Sequence, residues 1–114
     1  MKNTLLIVFA FLTVLGVAQD KKEAFSLFEL GNYEAALEEL LELYYEDSNN
    51  YEYAYMLGVC YLNTNIDKSL AVDYFKHALK DPKGNENTTY LLGRAHHFAY
   101  QFDDAIRSFQ LFKE

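Results

Sequence analysis

The sequence predicts an all-α fold, an α-solenoid of about three helix-turn-helix repeats, and three observations predict it. Sliding the 114-residue chain against itself by 34 or 35 positions brings like residues together, and a period in that range marks a helical array. Within each period the apolar residues recur at helical rather than strand spacing. Ten Tyr and nine Phe stand against a single Pro and no Trp, so packing groups are plentiful and helix breakers are few.

The register is carried by small and apolar residues. Ala24, Gly58 and Gly93 coincide, as do Leu27, Tyr61 and His96, then Ala36, Ala71 and Ala105, then Leu40, Phe75 and Phe109. The first helix pair is predicted over 21–30 and 33–45, where Tyr33, Ala36, Leu37, Leu40 and Leu41 form one apolar face. The second is predicted over 51–63 and 67–80, with Ala54, Leu57, Gly58, Tyr61 and Leu62 as the face of its leading helix. The third is predicted over 86–100 and 102–113. Turn chemistry separates them: Gly31-Asn32, Ser48-Asn49-Asn50, Asn63-Thr64-Asn65 and Asp81-Pro82-Lys83-Gly84-Asn85. Glycine inside a helix costs about 1 kcal/mol relative to Ala, so Gly58 and Gly93 imply close helix crossings. Ala36, Ala71 and Ala105 on the second helices are the expected partners of Ala24, Gly58 and Gly93 on the first.

Ahead of the repeats, Lys2 precedes an apolar run from Leu5 to Val17, and Gly16-Val17-Ala18 offers the small residues that signal peptidase requires. The expected division is a signal peptide over 1–18 and an array over 19–114, with repeats at about 19–50, 51–85 and 86–114. The run is shorter than the roughly 20 apolar residues of a membrane span, so no direct membrane insertion is expected after cleavage. Losing Lys2 takes the formal charge from -7 to -8, which argues against nucleic acid as a partner. Acid is concentrated early: 20–52 holds ten Asp or Glu against Lys21 and Lys22. Cys60 is the single cysteine, read as a small buried hydrophobe, and no internal disulfide is possible.

These residues resemble the tetratricopeptide repeat (TPR) motif. Leu57-Gly58, Tyr61, Ala71, Phe75, Ala78 and Pro82 follow its pattern in the second unit, with Gly31, Tyr33, Ala36 and Leu40 in the first and Leu92-Gly93, Ala105 and Phe109 in the third. The sequence departs from it at Ala24, at Asn65 and Tyr100 where a turn glycine is expected, and by one extra residue near 65–67. More narrowly, Leu57 to Leu62, Leu92 to His96 and Phe102 to Ile106 resemble the leading repeats of periplasmic TPR proteins that continue into an OmpA-like peptidoglycan-binding domain.

The resemblance implies a right-handed superhelix whose first helices line a concave groove. First-helix residues not needed for packing are then the candidate site: Phe25, Tyr55, Val59, Leu62, Asn63, Tyr90, Arg94, His97 and Phe98, with Phe28 and Glu29 extending it. Aromatic side chains and Arg together suit a protein surface. The TPR mode that clamps a terminal carboxylate is not expected, because Phe25, Met56 and Leu91 stand where polar contacts would be required. The resemblance thus implies an exported scaffold, in the periplasm or cell envelope of a Gram-negative bacterium, that binds a protein or peptide segment of an envelope protein. The alternative is the structural leading portion of a longer protein tethered to peptidoglycan. That alternative draws on the last helix, where Ile106, Phe109 and Phe112 form an apolar stripe with no capping helix after it.

Neither catalysis nor a cofactor is expected. His96 and His97 are adjacent on a helix and point about 100° apart, so they do not share a metal, and His77 belongs to another helix. Glu34, Glu38, Glu42 and Glu46 recur every four residues as a solvated stripe. Asp103 and Asp104 sit where negative charge favours a helix start. No phosphate loop, nucleophile triad or cysteine ligand pair occurs.

Overall fold

The computed structural model describes residues 20–114, and the expected signal peptide over 1–18 lies outside the described residues. Among the described residues the chain is helical throughout, with no strand. Helix α1 occupies 20–29, followed by α2 (Tyr33–Glu46), α3 (Tyr51–Leu62), a 3-10 turn (Lys68–Leu70), α4 (Ala71–Ala78), α5 (Thr88–Phe98) and α6 (Phe102–Lys113). None of these helices is long and apolar enough to cross a membrane.

Consecutive helices pack on one another: α2 on α3, α3 on α4, α4 on α5 and α5 on α6, with α3 also touching α5. A single core runs through α1 to α5, and Ala24, Leu40, Leu57, Cys60 and Phe75 are fully enclosed in it. Burying a Leu or Phe side chain stabilises a fold by about 1.5 to 3 kcal/mol, so these positions dominate the packing energy.

The atoms nearest the two helical glycines belong to rings that the sequence pairing did not name. A Cβ placed on Gly58 would lie 2.6 to 2.8 Å from three ring atoms of Phe75, and one on Gly93 would lie 2.6 to 3.1 Å from three ring atoms of Phe109. Ala71 and Ala105 are buried as well, yet the atoms nearest both glycines belong to the phenylalanine one turn further on. The physical reason is reach. A ring reaches beyond the backbone crossing onto a neighbour that lacks a side chain, and the glycine leaves room for it.

Two helices end in the same way on different residues. After α1, Gly31 N–H donates to Phe28 C=O and Asn32 N–H to Leu27 C=O; after α5, Tyr100 N–H donates to His97 C=O and Gln101 N–H to His96 C=O. This is the Schellman motif, which needs a left-handed residue just past the helix. Gly31 supplies it at φ 77° and Tyr100 at φ 59°. The turn after α3 is built otherwise. Lys68 Nζ donates to Leu62 C=O and to Thr64 C=O, both at 2.8 Å, and Asp67 accepts from Ser69 N–H at 3.1 Å. The helix expected over 67–80 therefore opens as a 3-10 turn and closes at Ala78. The helix expected over 86–100 is shorter too, Thr88–Phe98, because Asn85 already accepts from Asn87 N–H and Thr88 Oγ1 as a turn.

Helix α6 differs from α2 and α4 in what covers it. Leu37 and Val72 are 5% and 6% exposed, whereas Ile106 in the same register is 54% exposed. Leu43 and Ala78 are 7% and 4% exposed, against 45% for Phe112. In the earlier units this face is covered by the next helix. Phe109, expected to share the open stripe, instead packs its ring on Gly93 and Tyr90.

Candidate binding surface

The first helices of the three pairs contribute to two clefts that meet at one side chain. The larger, about 640 Å³, is walled by Phe25, Phe28 and Glu29 of α1, by Tyr51, Glu52, Tyr55 and Met56 of α3, and by Asp81, Lys83, Gly84 and Asn85 of the link before α5. The smaller, about 470 Å³, is walled by Tyr55 and Val59 of α3, by Tyr90 and Leu91 of α5 with the preceding Asn87, and by Phe112 of α6. Tyr55 belongs to both.

Local packing fixes these walls. The Tyr55 ring leans on the buried Phe75 at 6.2 Å between centroids, and burial, with a smaller contribution from Tyr33, pushes its phenol above the ordinary value. Phe25 meets Tyr53 edge-on at 6.2 Å, and Phe28 meets Tyr33 at 5.7 Å. Tyr90 rests on Phe109 and Phe112 at 5.6 and 5.4 Å. Asn50 caps α3 by accepting from Tyr53 N–H at 3.0 Å, which holds Tyr51 and Glu52 at the mouth of the larger cleft.

The nine candidate residues divide among several settings. Phe25, Tyr55, Val59 and Tyr90 line the clefts. Leu62 does not: it is 2% exposed and belongs to the core, because the last turn of α3 is covered by the Lys68 turn. The Asn63 side chain donates back to Val59 C=O at 2.8 Å and closes α3. Arg94 is half-buried, lines neither cleft, and takes no ion-pair partner among the described residues. His97 and Phe98 lie at the far end of α5, exposed, with His97 edge-on to Phe98 and Phe102 and with Lys68 Nζ 5.3 Å from the Phe98 ring centre.

Sequence reasoning overlooked the link residues Asp81, Lys83 and Asn85, since only helix faces were weighed. It also missed a ladder of rings between the first two units. Tyr61 stacks on Tyr74 at 5.5 Å, Tyr74 meets Tyr44 at 5.6 Å, and His77 meets Tyr44 and Tyr51 at 5.9 and 5.2 Å. The Tyr44 hydroxyl and His77 Nδ1 share a hydrogen bond at 2.6 Å, tying α2 to α4. A helical repeat of aromatic residues on second helices was the available signal.

The three histidines make separate contacts and the one cysteine is buried. His77, His96 and His97 are engaged separately, His96 through a 2.7 Å hydrogen bond to Gln101. Burial pushes the Cys60 thiol up to about 12, which leaves it protonated at neutral pH. Asp20, Glu23 and Glu39 bring carboxylate oxygens within 4.8 Å of one another. The Glu39 carboxyl is raised by partial burial and then by Glu23, Glu42, Asp20 and Glu38. Asp103 and Asp104 lie in the first turn of α6 but make no cap hydrogen bond; Asp104 pairs with Arg107 at 2.9 Å.

No protein-family model matches the chain, and no curated protein matches it either.

Proposed function

We propose that the chain is an interaction scaffold of the tetratricopeptide type, exported to the periplasm or cell envelope, which docks a segment of an envelope protein along its first helices. The observation that carries this reading is the junction at Tyr55, where two clefts of about 640 and 470 Å³ meet along α1, α3 and α5. A continuous surface lined by Phe25, Tyr55 and Tyr90 offers apolar area with hydroxyl handles, the composition favoured at binding hot spots. Further support comes from the period of 34 or 35 residues and from the recurring pairs of a small residue with a ring. The titratable groups favour no reaction: the one thiol is buried and the three histidines are engaged separately.

The test replaces Tyr55 and Tyr90 together by Ala and measures capture of envelope proteins while following helical circular dichroism. Loss of capture with helicity kept supports the reading. Unchanged capture removes the first-helix surface from consideration.

A second reading draws on the open face of α6, where Ile106 and Phe112 are exposed although their counterparts in α2 and α4 are covered. The repeats would then position a further domain, such as one that grips peptidoglycan, and the face would receive another helix. Purified protein that stays monomeric and binds no apolar-surface dye would count against it.

A further inference from the structure

The larger cleft joins an aromatic floor to an acidic rim. Phe25, Tyr51 and Tyr55 are half-buried and make the floor, while Glu29 at the end of α1 and Glu52 at the start of α3 are exposed at the rim. Neither carboxylate takes an ion-pair partner among the described residues. Asp81 lines the same cleft, with one oxygen already accepting Lys83 N–H at 2.9 Å. Lys83 is the single cation in the lining, so the rim is acidic on balance.

Rings beneath carboxylates are the arrangement that recognises an ammonium or guanidinium group, because the ring face and the carboxylate both attract positive charge. The chain already uses one of these rings in this way: Lys21 Nζ lies 5.4 Å from the centre of Phe25. The surrounding field has the same sign, since 20–52 carries ten acidic residues against two lysines. Such a field draws a basic partner toward the cleft. It repels a second copy of this acidic chain, an anionic lipid surface and nucleic acid alike.

We infer that the larger cleft receives a segment of a partner protein in which Lys or Arg alternates with aliphatic residues, the cations meeting Glu29 and Glu52 and the aliphatic side chains lying on Tyr51 and Tyr55. The inference rests on the docking role of the first helices and adds the chemistry of what docks. Apolar contact with the floor holds the segment, and the rim selects its charge.

The experiment titrates the full chain, labelled with 15N, with two short synthetic peptides, one alternating Leu with Lys and the other Leu with Ser. The Leu-Lys peptide is expected to shift the Tyr51 and Tyr55 amide signals saturably, with affinity falling as salt is raised. In Glu29→Gln with Glu52→Gln the affinity drops about tenfold or more. In Glu34→Gln with Glu38→Gln, which removes the same charge from the exposed face of α2, it changes less than about twofold. Equal loss in both variants overturns the inference, because net charge alone would then explain binding. Equal affinity for the Leu-Ser peptide at Tyr51 and Tyr55 overturns the charge selection while leaving the docking surface standing. Failure of the Leu-Lys peptide to shift these signals overturns the inference outright, and the Tyr55 and Tyr90 capture experiment judges the docking role separately.

Discussion

The ring of Phe75 occupies the space that a side chain on Gly58 would need, its three nearest atoms lying 2.6 to 2.8 Å from where a Cβ would stand. Phe75 is fully buried, so the ring cannot swing away without opening the core. Gly58→Ala should therefore destabilise the fold by about 1 to 3 kcal/mol, although the same change in an open helix stabilises by about 1 kcal/mol. Gly58→Leu should abolish folding. Combining Gly58→Ala with Phe75→Leu reproduces the residue types at Ala24 and Leu40 of the first unit, both fully buried, and should recover part of the loss. Urea unfolding of the two single variants and the double variant measures that coupling.

Tyr100 takes the left-handed conformation that Gly31 takes at the equivalent turn, at φ 59° and 77° respectively. A side chain there costs about 1 to 2 kcal/mol, and Tyr100 is 82% exposed, so its ring returns little packing. Tyr100→Gly should raise the thermal midpoint, with a gain of about 1 kcal/mol in stability. Gly31→Ala should lower it by a similar amount. Thermal melts followed by circular dichroism decide both.

Alkaline pH should unfold the protein cooperatively. Burial raises the phenols of Tyr44, Tyr55, Tyr61 and Tyr74 and lifts the Cys60 thiol from 9.0 to about 12. Each group holds its proton more tightly in the fold than in the unfolded chain, so the native state binds more protons above the ordinary values. Stability is then intact below pH 9.0 and declines toward about 12 for the thiol, with the phenols adding to the decline from their own ordinary value of 10.0 upward. Tyrosinate absorbance should rise in step with loss of helicity, and Cys60 should resist thiol reagents at neutral pH until denaturant is added.

Glu39 has its carboxyl raised by partial burial and by the acids around it. Its ionised form is the one the fold disfavours, so the penalty is present above the folded value and fades as pH falls through it. Glu39→Gln should give a small rise in thermal midpoint at neutral pH, shrinking in acid. Added salt should shrink it too, by screening Glu23, Glu42, Asp20 and Glu38.

Helical periodicity made much of the fold legible. Tyr33, Tyr51 and Phe102 begin helices where the pattern begins, and Asn50 caps α3 at a turn cluster that is plain in the sequence. The errors arise where contacts between elements override local pattern. Lys68 draws the turn after α3 toward Leu62 and Thr64, a tie six residues long that periodicity does not encode. Gly58 and Gly93 announced close approach, but that the rings of Phe75 and Phe109 come nearest to them depends on side-chain reach across a crossing. For the surface, the groove that the resemblance implies along the first helices pointed to Phe25, Tyr55, Val59 and Tyr90. It also pointed to Leu62, which the Lys68 turn covers, and it was silent on Asp81 and Lys83, which only the fold brings beside α1 and α3.

The most direct test of the docking account is photo-crosslinking in cells from a reactive amino acid placed at Tyr90 or, separately, at Tyr45. Tyr45 on α2 is 89% exposed against 43% for Tyr90 and lines neither cleft, so random encounter would favour Tyr45. A discrete adduct with one protein from Tyr90 and none from Tyr45 is the predicted result. The same adducts from both positions, or none from Tyr90, would contradict it.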